Sequence, residues 1–173
     1  FLLASSVEIY GQGTEIPMDE EYCGYINCNN ARSGYNESKR TCEALCQSYM
    51  QQYGVESVIV RLARIFGADK KKDTKAMSQF MEKAVAGEDI ILKSKGNQRY
   101  SYCYVADAVS GIFKALLDGT AGQAYNISDD DEGITLGGYA EFIASLAGKS
   151  VVYQIENNTS VSKATYALLN NNK

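Results

Sequence analysis

Histidine is absent from all 173 residues, and no other gap in the sequence removes as much chemistry. Without an imidazole there is no Ser-His or Cys-His nucleophile pair and no histidine-bound metal. Proton transfer must fall to tyrosine, lysine, cysteine or a carboxylate. Tryptophan is also missing, and the single proline, Pro17, is too little for a proline-rich linker. No run approaches the roughly 18 to 20 consecutive apolar residues of a membrane span, and the opening FLLASS lacks the basic flank and length of a signal peptide. Positive charge is scarce: 17 Lys and Arg stand against 21 Asp and Glu, a formal net charge of -4. That balance argues against a nucleic-acid backbone as partner. The reading is a cytoplasmic protein with no nucleic-acid and no membrane partner. The basic run Lys70, Lys71 and Lys72 reads as a solvated loop.

The five cysteines, at 23, 28, 42, 46 and 103, are odd in number and lack a secretory context, so they read as reduced thiols. Cys42 and Cys46 would share a helix face, but no pair has C-x-x-C spacing and there is no histidine to help, so no metal is expected.

What is present fits one globular domain with a sizeable core, at 45% hydrophobic and 22% charged residues. FLLASS reads as a buried strand that ends in small polar residues at a ligand crevice. From Ser38 to Tyr53 the apolar positions Cys42, Leu45, Cys46, Tyr49 and Met50 recur at three and four, which predicts a helix with one buried stripe, closed by Gly54. VESVIVRLARIFG is β-branched and predicts a second buried strand. Strand, helix and strand in this order make a crossover on a parallel sheet. Downstream, AMSQFMEKAVAGE predicts a helix, DIILK and QRYSYCYV strands, ADAVSGIFKALLDG a helix, AYNIS a strand, LGGYAEFIASLAG a helix and VVYQI a last strand. The tail from Asn157 reads as frayed or partly helical, without a clear core. No Gly-rich turn of the kind that receives a pyrophosphate follows a strand near the N-terminus. The chain also begins without Met inside an apparent core strand, and it reads as part of a larger protein.

With 13 tyrosines and 12 lysines, about one Tyr-x-x-x-Lys pair is expected by chance, and one occurs, Tyr35 with Lys39. The spacing alone decides nothing. Its surroundings add weight: SSVEIYG at 5–11 precedes YNESK by about 30 residues, RLARIFG follows at 61–67, and GNQRYSYCYVADAV at 96–109. In sequence and order these segments resemble the extended short-chain dehydrogenase/reductase family, the nucleotide-sugar epimerases and dehydratases. The resemblance spans roughly residues 1–150.

It implies an α/β fold, the C-terminal part of a Rossmann-like parallel sheet with a small α/β substrate-binding lobe. Residues 1–67 would be the second half of the NAD-binding domain and 68–173 mainly the lobe, with 105–128 returning to the sheet. It implies NAD as cofactor in preference to NADP, and a nucleotide-diphosphate sugar as substrate. Tyr35 would take a proton from a sugar hydroxyl while hydride leaves the same carbon. Lys39 would hold the nicotinamide ribose and Ser6 the reacting oxygen. The residue types suit the task, since a phenol is ordinarily too weak an acid to serve as a base at neutral pH and a neighbouring ammonium favours its ionised form. Glu8, two places after Ser6, matches the carboxylate that handles a second proton in relatives that dehydrate or decarboxylate, while C4 epimerisation stays open. The family's helix with Tyr and Lys commonly packs against its twin, which implies a homodimer through the helix that holds Tyr35.

Two positions depart from the family pattern. Arg64 stands where an Asn binds the sugar nucleotide, and it offers a guanidinium for a diphosphate. Tyr100 stands where a nucleotide-contacting Arg is usual, with Arg99 one place early. Arg64, Arg99 and Tyr100 are therefore the candidate substrate-binding residues. Arg61 reads as structural, in a strand and paired with an acid. The first functional expectation is a fragment of an NAD-dependent nucleotide-sugar epimerase or dehydratase of surface-polysaccharide synthesis. The alternative is a non-catalytic truncated domain that folds or associates without binding NAD.

Overall fold

The computed structural model describes residues 1–68, 74–129, 133–155 and 166–173. In chain order these form β1 (Leu2–Ser6), a 3-10 turn (Val7–Tyr10), α1 (Ser33–Tyr53), β2 (Val58–Leu62), β3 (Arg64–Phe66), α2 (Ala76–Val85), β4 (Ile90–Leu92), β5 (Arg99–Tyr100), β6 (Tyr102–Tyr104), α3 (Val105–Asp118), β7 (Ala124–Ile127), α4 (Leu136–Leu146), β8 (Val151–Tyr153) and β9 (Tyr166–Ala167). They divide into two compact units. The first comprises Phe1–Ile65, Ser101–Asp131 and Tyr166–Lys173, and the second Phe66–Tyr100 and Glu132–Thr165.

The first unit is built on a parallel sheet of order β1-β2-β7. Leu2 to Ser6 run in register with Val58 to Leu62, and Ile59 to Leu62 with Ala124 to Ile127. Val58, Ile59 and Val60 are buried because β2 is central and covered on both faces, which is why its sequence runs apolar instead of alternating. The period of two assigns those faces. Val58, Val60 and Leu62 pack with Ala115 and Ile112 of α3, whereas Arg61 turns to α1 and meets Glu43. A second cluster, Val7, Ile9, Tyr10, Met18, Ala63, Cys103, Ala108 and Leu169, seats the turn that follows β1. Burying each of the larger apolar side chains contributes about 1.5 to 3 kcal/mol.

In the second unit β4 and β8 pair in parallel, and α2 and α4 pack over them around Phe80, Ile90, Leu92, Ala140 and Ala144. Thr135 caps α4, its Oγ1 accepting from Gly138 N–H at 3.1 Å.

Four expectations are corrected. VESVIVRLARIFG is two strands: Ala63 N–H still bonds the carbonyl of Ile127 in the main sheet, but Arg64 N–H has turned to Ser101, and β3 pairs with β6. QRYSYCYV also divides, at Ser101, whose amide donates to the Ala167 carbonyl and whose Oγ accepts from Leu169 N–H, so the C-terminal segment takes its bonds. The tail has a core after all: Leu168 and Leu169 are only 2% and 5% exposed, and Met18 bonds Leu168 and Asn170 on either side. Residues 157–165 of that tail, and Lys70, Lys71 and Lys72, lie outside the described residues. Finally, the apolar stripe of α1 is not its buried face. Cys42, Leu45 and Tyr49 are exposed and, with Phe1, Leu3 and Cys46, line an apolar groove of about 350 Å³. The buried position is Glu43, because the sheet offers that face a serine and an arginine. The stop at Gly54 is as expected, a left-handed residue at φ 68° whose amide bonds Met50.

Candidate active site

Strand β1 ends at Ser6, whose extended backbone leads into the turn and whose Oγ accepts from Glu8 N–H at 3.2 Å. Gly11 closes the turn at φ 69°, its amide bonding the Glu8 carbonyl at 3.3 Å. A Cβ there would stand 2.5 Å from the Tyr25 carbonyl oxygen, so only glycine fits. Helix α1 starts five residues earlier than the apolar pattern predicts, launched from a turn in which Ser33 Oγ donates to the Asn27 carbonyl and Arg32 N–H to Asn30 Oδ1. Tyr35 thus lies in the first turn, Lys39 in the second and Glu43 in the third.

Helix and strand end are tied together by side chains. Lys39 Nζ donates to the Ala4 carbonyl at 2.8 Å and stands 5.9 Å from the centroid of the exposed Tyr35 ring. Asn36 Nδ2 donates to the Glu8 carbonyl at 2.7 Å and to its Oε2 at 3.4 Å. Arg64 Nη2 lies 3.5 Å from Glu8 Oε1. Arg40 Nε donates to the Ile9 carbonyl at 2.6 Å. Ser6, Glu8, Tyr35, Lys39 and Arg64 therefore belong to one connected patch of the first unit, with Arg64 held at Glu8. Arg99 and Tyr100 belong to the second unit, where Arg99 Nε donates to the Gly133 carbonyl at 2.6 Å and Tyr100 is half-buried.

Asn36, Arg40 and Glu43 are the residues that motif reading passes over. Glu43 was detectable by position, four residues after Lys39 and eight after Tyr35 on the same helix. It anchors a buried polar chain. Ser5 Oγ donates to Glu43 Oε1, Arg61 Nη2 to Glu43 Oε2 at 2.8 Å, Arg61 Nη1 to Tyr10 Oη at 3.0 Å, and Tyr10 Oη to Asn126 Oδ1 at 2.7 Å. Burial pushes the Tyr10 phenol above its ordinary pKa, although the charge and hydrogen bond of Arg61 pull the other way. For Arg61, burial disfavours the charge, but the hydrogen bond to Glu43 and the contacts with Tyr10 outweigh it and raise the guanidinium pKa. Among the described residues no group of three or more Cys, Asp or Glu is placed to hold a metal ion.

The parallel sheet covered by helices on both faces defines the class, an α/β fold of the Rossmann-like type. A UDP-glucose 4-epimerase from Thermotoga maritima, solved with UDP-glucose, superposes on 99% of this chain and 54% of its own with a TM-score of 0.80 at 20% identity. The dTDP-glucose 4,6-dehydratase of Bacillus anthracis, in complex with NAD, covers 98% of this chain and 52% of its own, TM-score 0.80, at 22% identity. Residues 1–128 match the NAD dependent epimerase/dehydratase family, and the chain belongs to that family. Similar curated proteins include UDP-glucuronic acid decarboxylase 3 of Arabidopsis thaliana, 34% identical over 162 residues, 91% of this chain and 46% of the relative. UDP-glucuronic acid decarboxylase 1 of Danio rerio is 34% identical over 146 residues, 84% of this chain and 34% of the relative. The chain spans about half the length, or less, of the curated relatives it matches.

The family is NAD-dependent. The residues present suit the nicotinamide end of that cofactor: an exposed phenol and an ammonium lie on adjacent turns, the ammonium drawn to the strand end by Ala4. For the pyrophosphate end this sequence holds no Gly-rich turn after a strand near its N-terminus.

Proposed function

We propose that this chain carries the proton-handling part of an NAD-dependent nucleotide-sugar enzyme that oxidises the sugar at C4. The observation that carries the reading is the pinning of the strand end to the opening of α1. Lys39 on Ala4 and Asn36 on Glu8 hold one hydroxyl, one carboxylate, one phenol and one ammonium on a single patch. Tyr35 takes the proton of the C4 hydroxyl, Ser6 binds that oxygen, and Lys39 supports the phenolate and meets the nicotinamide ribose. NAD, when bound, supplies the hydride acceptor.

Glu8 and the relatives' names favour a uronic acid among nucleotide-diphosphate sugars. A C4 ketone makes the C6 carboxylate a β-keto acid, so the C5–C6 bond breaks, carbon dioxide departs and the bonding pair stays on the sugar as an enolate across C4–C5. A proton must then reach C5, and Glu8 is the acid nearest Ser6 in sequence. Arg64, held at Glu8, faces the anionic part of the substrate, with Arg99 and Tyr100 as further substrate contacts. The exposed apolar stripe of α1 supports a homodimer through the helix that bears Tyr35. A cytoplasmic role in polysaccharide precursor synthesis follows from the same reading.

The test is Tyr35→Phe in a polypeptide that also carries a Gly-rich dinucleotide-binding half. NAD reduction, followed by absorbance, is abolished while nucleotide-sugar binding persists, and full turnover by the variant overturns the reading. The lack of a Gly-rich turn favours a second reading for the 173 residues by themselves, a domain that folds without holding NAD. Calorimetry is expected to find no tight NAD binding, and about micromolar affinity would refute it.

A further inference from the structure

A buried ion pair brackets the candidate catalytic turn. Ser6, Val7, Glu8 and Ile9 lie between Ser5 and Tyr10, and both flanking side chains bond into the same pair. Upstream, Ser5 Oγ donates to Glu43 Oε1 at 2.5 Å. Downstream, Arg61 Nη1 donates to Tyr10 Oη at 3.0 Å, and Tyr10 spends its own proton on Asn126 at 2.7 Å. Between them Arg61 Nε and Nη2 reach Glu43 at 2.8 to 3.3 Å. Ser5, Tyr10 and Glu43 are 4%, 0% and 8% exposed, so water does not compete for these bonds.

We infer that Glu43 and Arg61 are positioning residues that clamp both ends of the turn bearing Ser6 and Glu8 against the helix bearing Tyr35 and Lys39. A pair that merely joined sheet to helix would need only its mutual bonds. Here the spare capacity of each partner goes to the two residues that flank the turn. Arg61 Nη1 also donates to the Glu20 carbonyl at 2.6 Å, which holds the loop beyond it. The inference rests on the proposed function for the roles of Ser6, Glu8, Tyr35 and Lys39, whereas the clamp itself is testable without turnover.

The first measurement is amide hydrogen exchange on the 173-residue chain. Glu8 N–H, bonded to Ser6 Oγ, and Gly11 N–H, bonded to the Glu8 carbonyl, report on the turn. Ile59 N–H and Ala63 N–H, bonded to Gln123 and Ile127, report on the sheet. Ser5→Ala and Tyr10→Phe, which each cut one end, are expected to speed exchange at Glu8 and Gly11 about tenfold and leave Ile59 and Ala63 within about twofold. Equal acceleration at all four amides would signal ordinary loss of stability and overturn the clamp, as would no change.

The second measurement is turnover in a polypeptide that also carries a Gly-rich dinucleotide-binding half. Ser5→Ala should lower kcat about tenfold with KM within about twofold, and Ser5→Thr should restore it. A local exchange change with kcat untouched removes the positioning role. Loss of the catalytic reading itself would show instead in Tyr35→Phe, with the exchange pattern unaffected.

Discussion

Replacing Glu43 by alanine should be among the most damaging single changes in the first unit. The side chains of Arg61 and Glu43 are only 12% and 10% exposed. Removing the carboxylate strands three buried donors, namely Arg61 Nε, Arg61 Nη2 and the Ser5 hydroxyl. Each unsatisfied buried group costs about 1 to 3 kcal/mol, and breaking a buried ion pair from one side costs about 3 to 5 kcal/mol. Partial relaxation and water entry favour the middle of that range, so Glu43→Ala should lose about 4 kcal/mol out of a total of about 5 to 15. Glu43→Leu together with Arg61→Met removes both charges and fills the space. It leaves Ser5 and the Glu20 carbonyl without their partners, but Tyr10 keeps its bond to Asn126. The double variant should therefore lose about 2 kcal/mol, less than either single change. Urea unfolding followed by circular dichroism at pH 7 measures the parent, Glu43→Ala, Glu43→Leu, Arg61→Met and the double variant, with the comparison made at unchanged m. Glu43→Ala within about 1 kcal/mol of the parent would refute the reasoning, and so would a double variant equal to the sum of the single ones.

Alkaline pH should loosen the same region. Burial raises the Tyr10 pKa above the ordinary 10.0, so its contribution to stability is complete below that value and is lost as pH climbs through the raised one. Tyr10→Phe should remove this alkaline limb from a stability–pH profile; a limb that survives the substitution points to another group. Thiol chemistry should sort by burial. Cys23, Cys28 and Cys42 are exposed and should react with an aromatic disulfide reagent at once, whereas Cys103 is buried with its pKa raised by that burial and should react only on unfolding. Rapid labelling of Cys103 in the folded chain would contradict the packing around α3.

Most elements were legible because their signals are local. The β-branched run of β2, the glycine that ends α1 and the apolar periods of α2, α3 and α4 each state their own conformation. What was not legible depends on distant partners. Nothing near Ala63 says that the sheet ends there, because the break is made by Ser101, which lies 38 residues onward. Leu168 and Leu169 precede a run of asparagines and look like part of a polar tail, yet Met18 pairs with them through an isolated β-bridge. Among the candidate site residues, Ser6, Glu8, Tyr35 and Lys39 were picked out by their order along the chain, and the fold brings them to one patch. Asn36 was not, since an asparagine between a tyrosine and a glutamate carries no signal until Glu8 is folded beside it.

The misassigned face of α1 shows where periodicity misleads and what corrects it. An apolar stripe through Cys42, Leu45 and Tyr49 suggests the buried side by the hydrophobic rule alone, but the rule assumes that the sheet beneath is apolar. Strand β2 places Arg61 one residue after the fully buried Val60, and a guanidinium inside a parallel sheet demands an acid. Of the two carboxylates on α1, Glu37 lies in its opening turns, whereas Glu43 lies a turn beyond Lys39 and continues the line Tyr35, Lys39, Glu43 at intervals of four. Demanding a partner for Arg61 turns the helix by its polar line, seats Glu43 on the sheet and leaves the apolar stripe outward. The charged residue in the core decides the orientation because leaving it unpaired costs more than exposing a few apolar side chains.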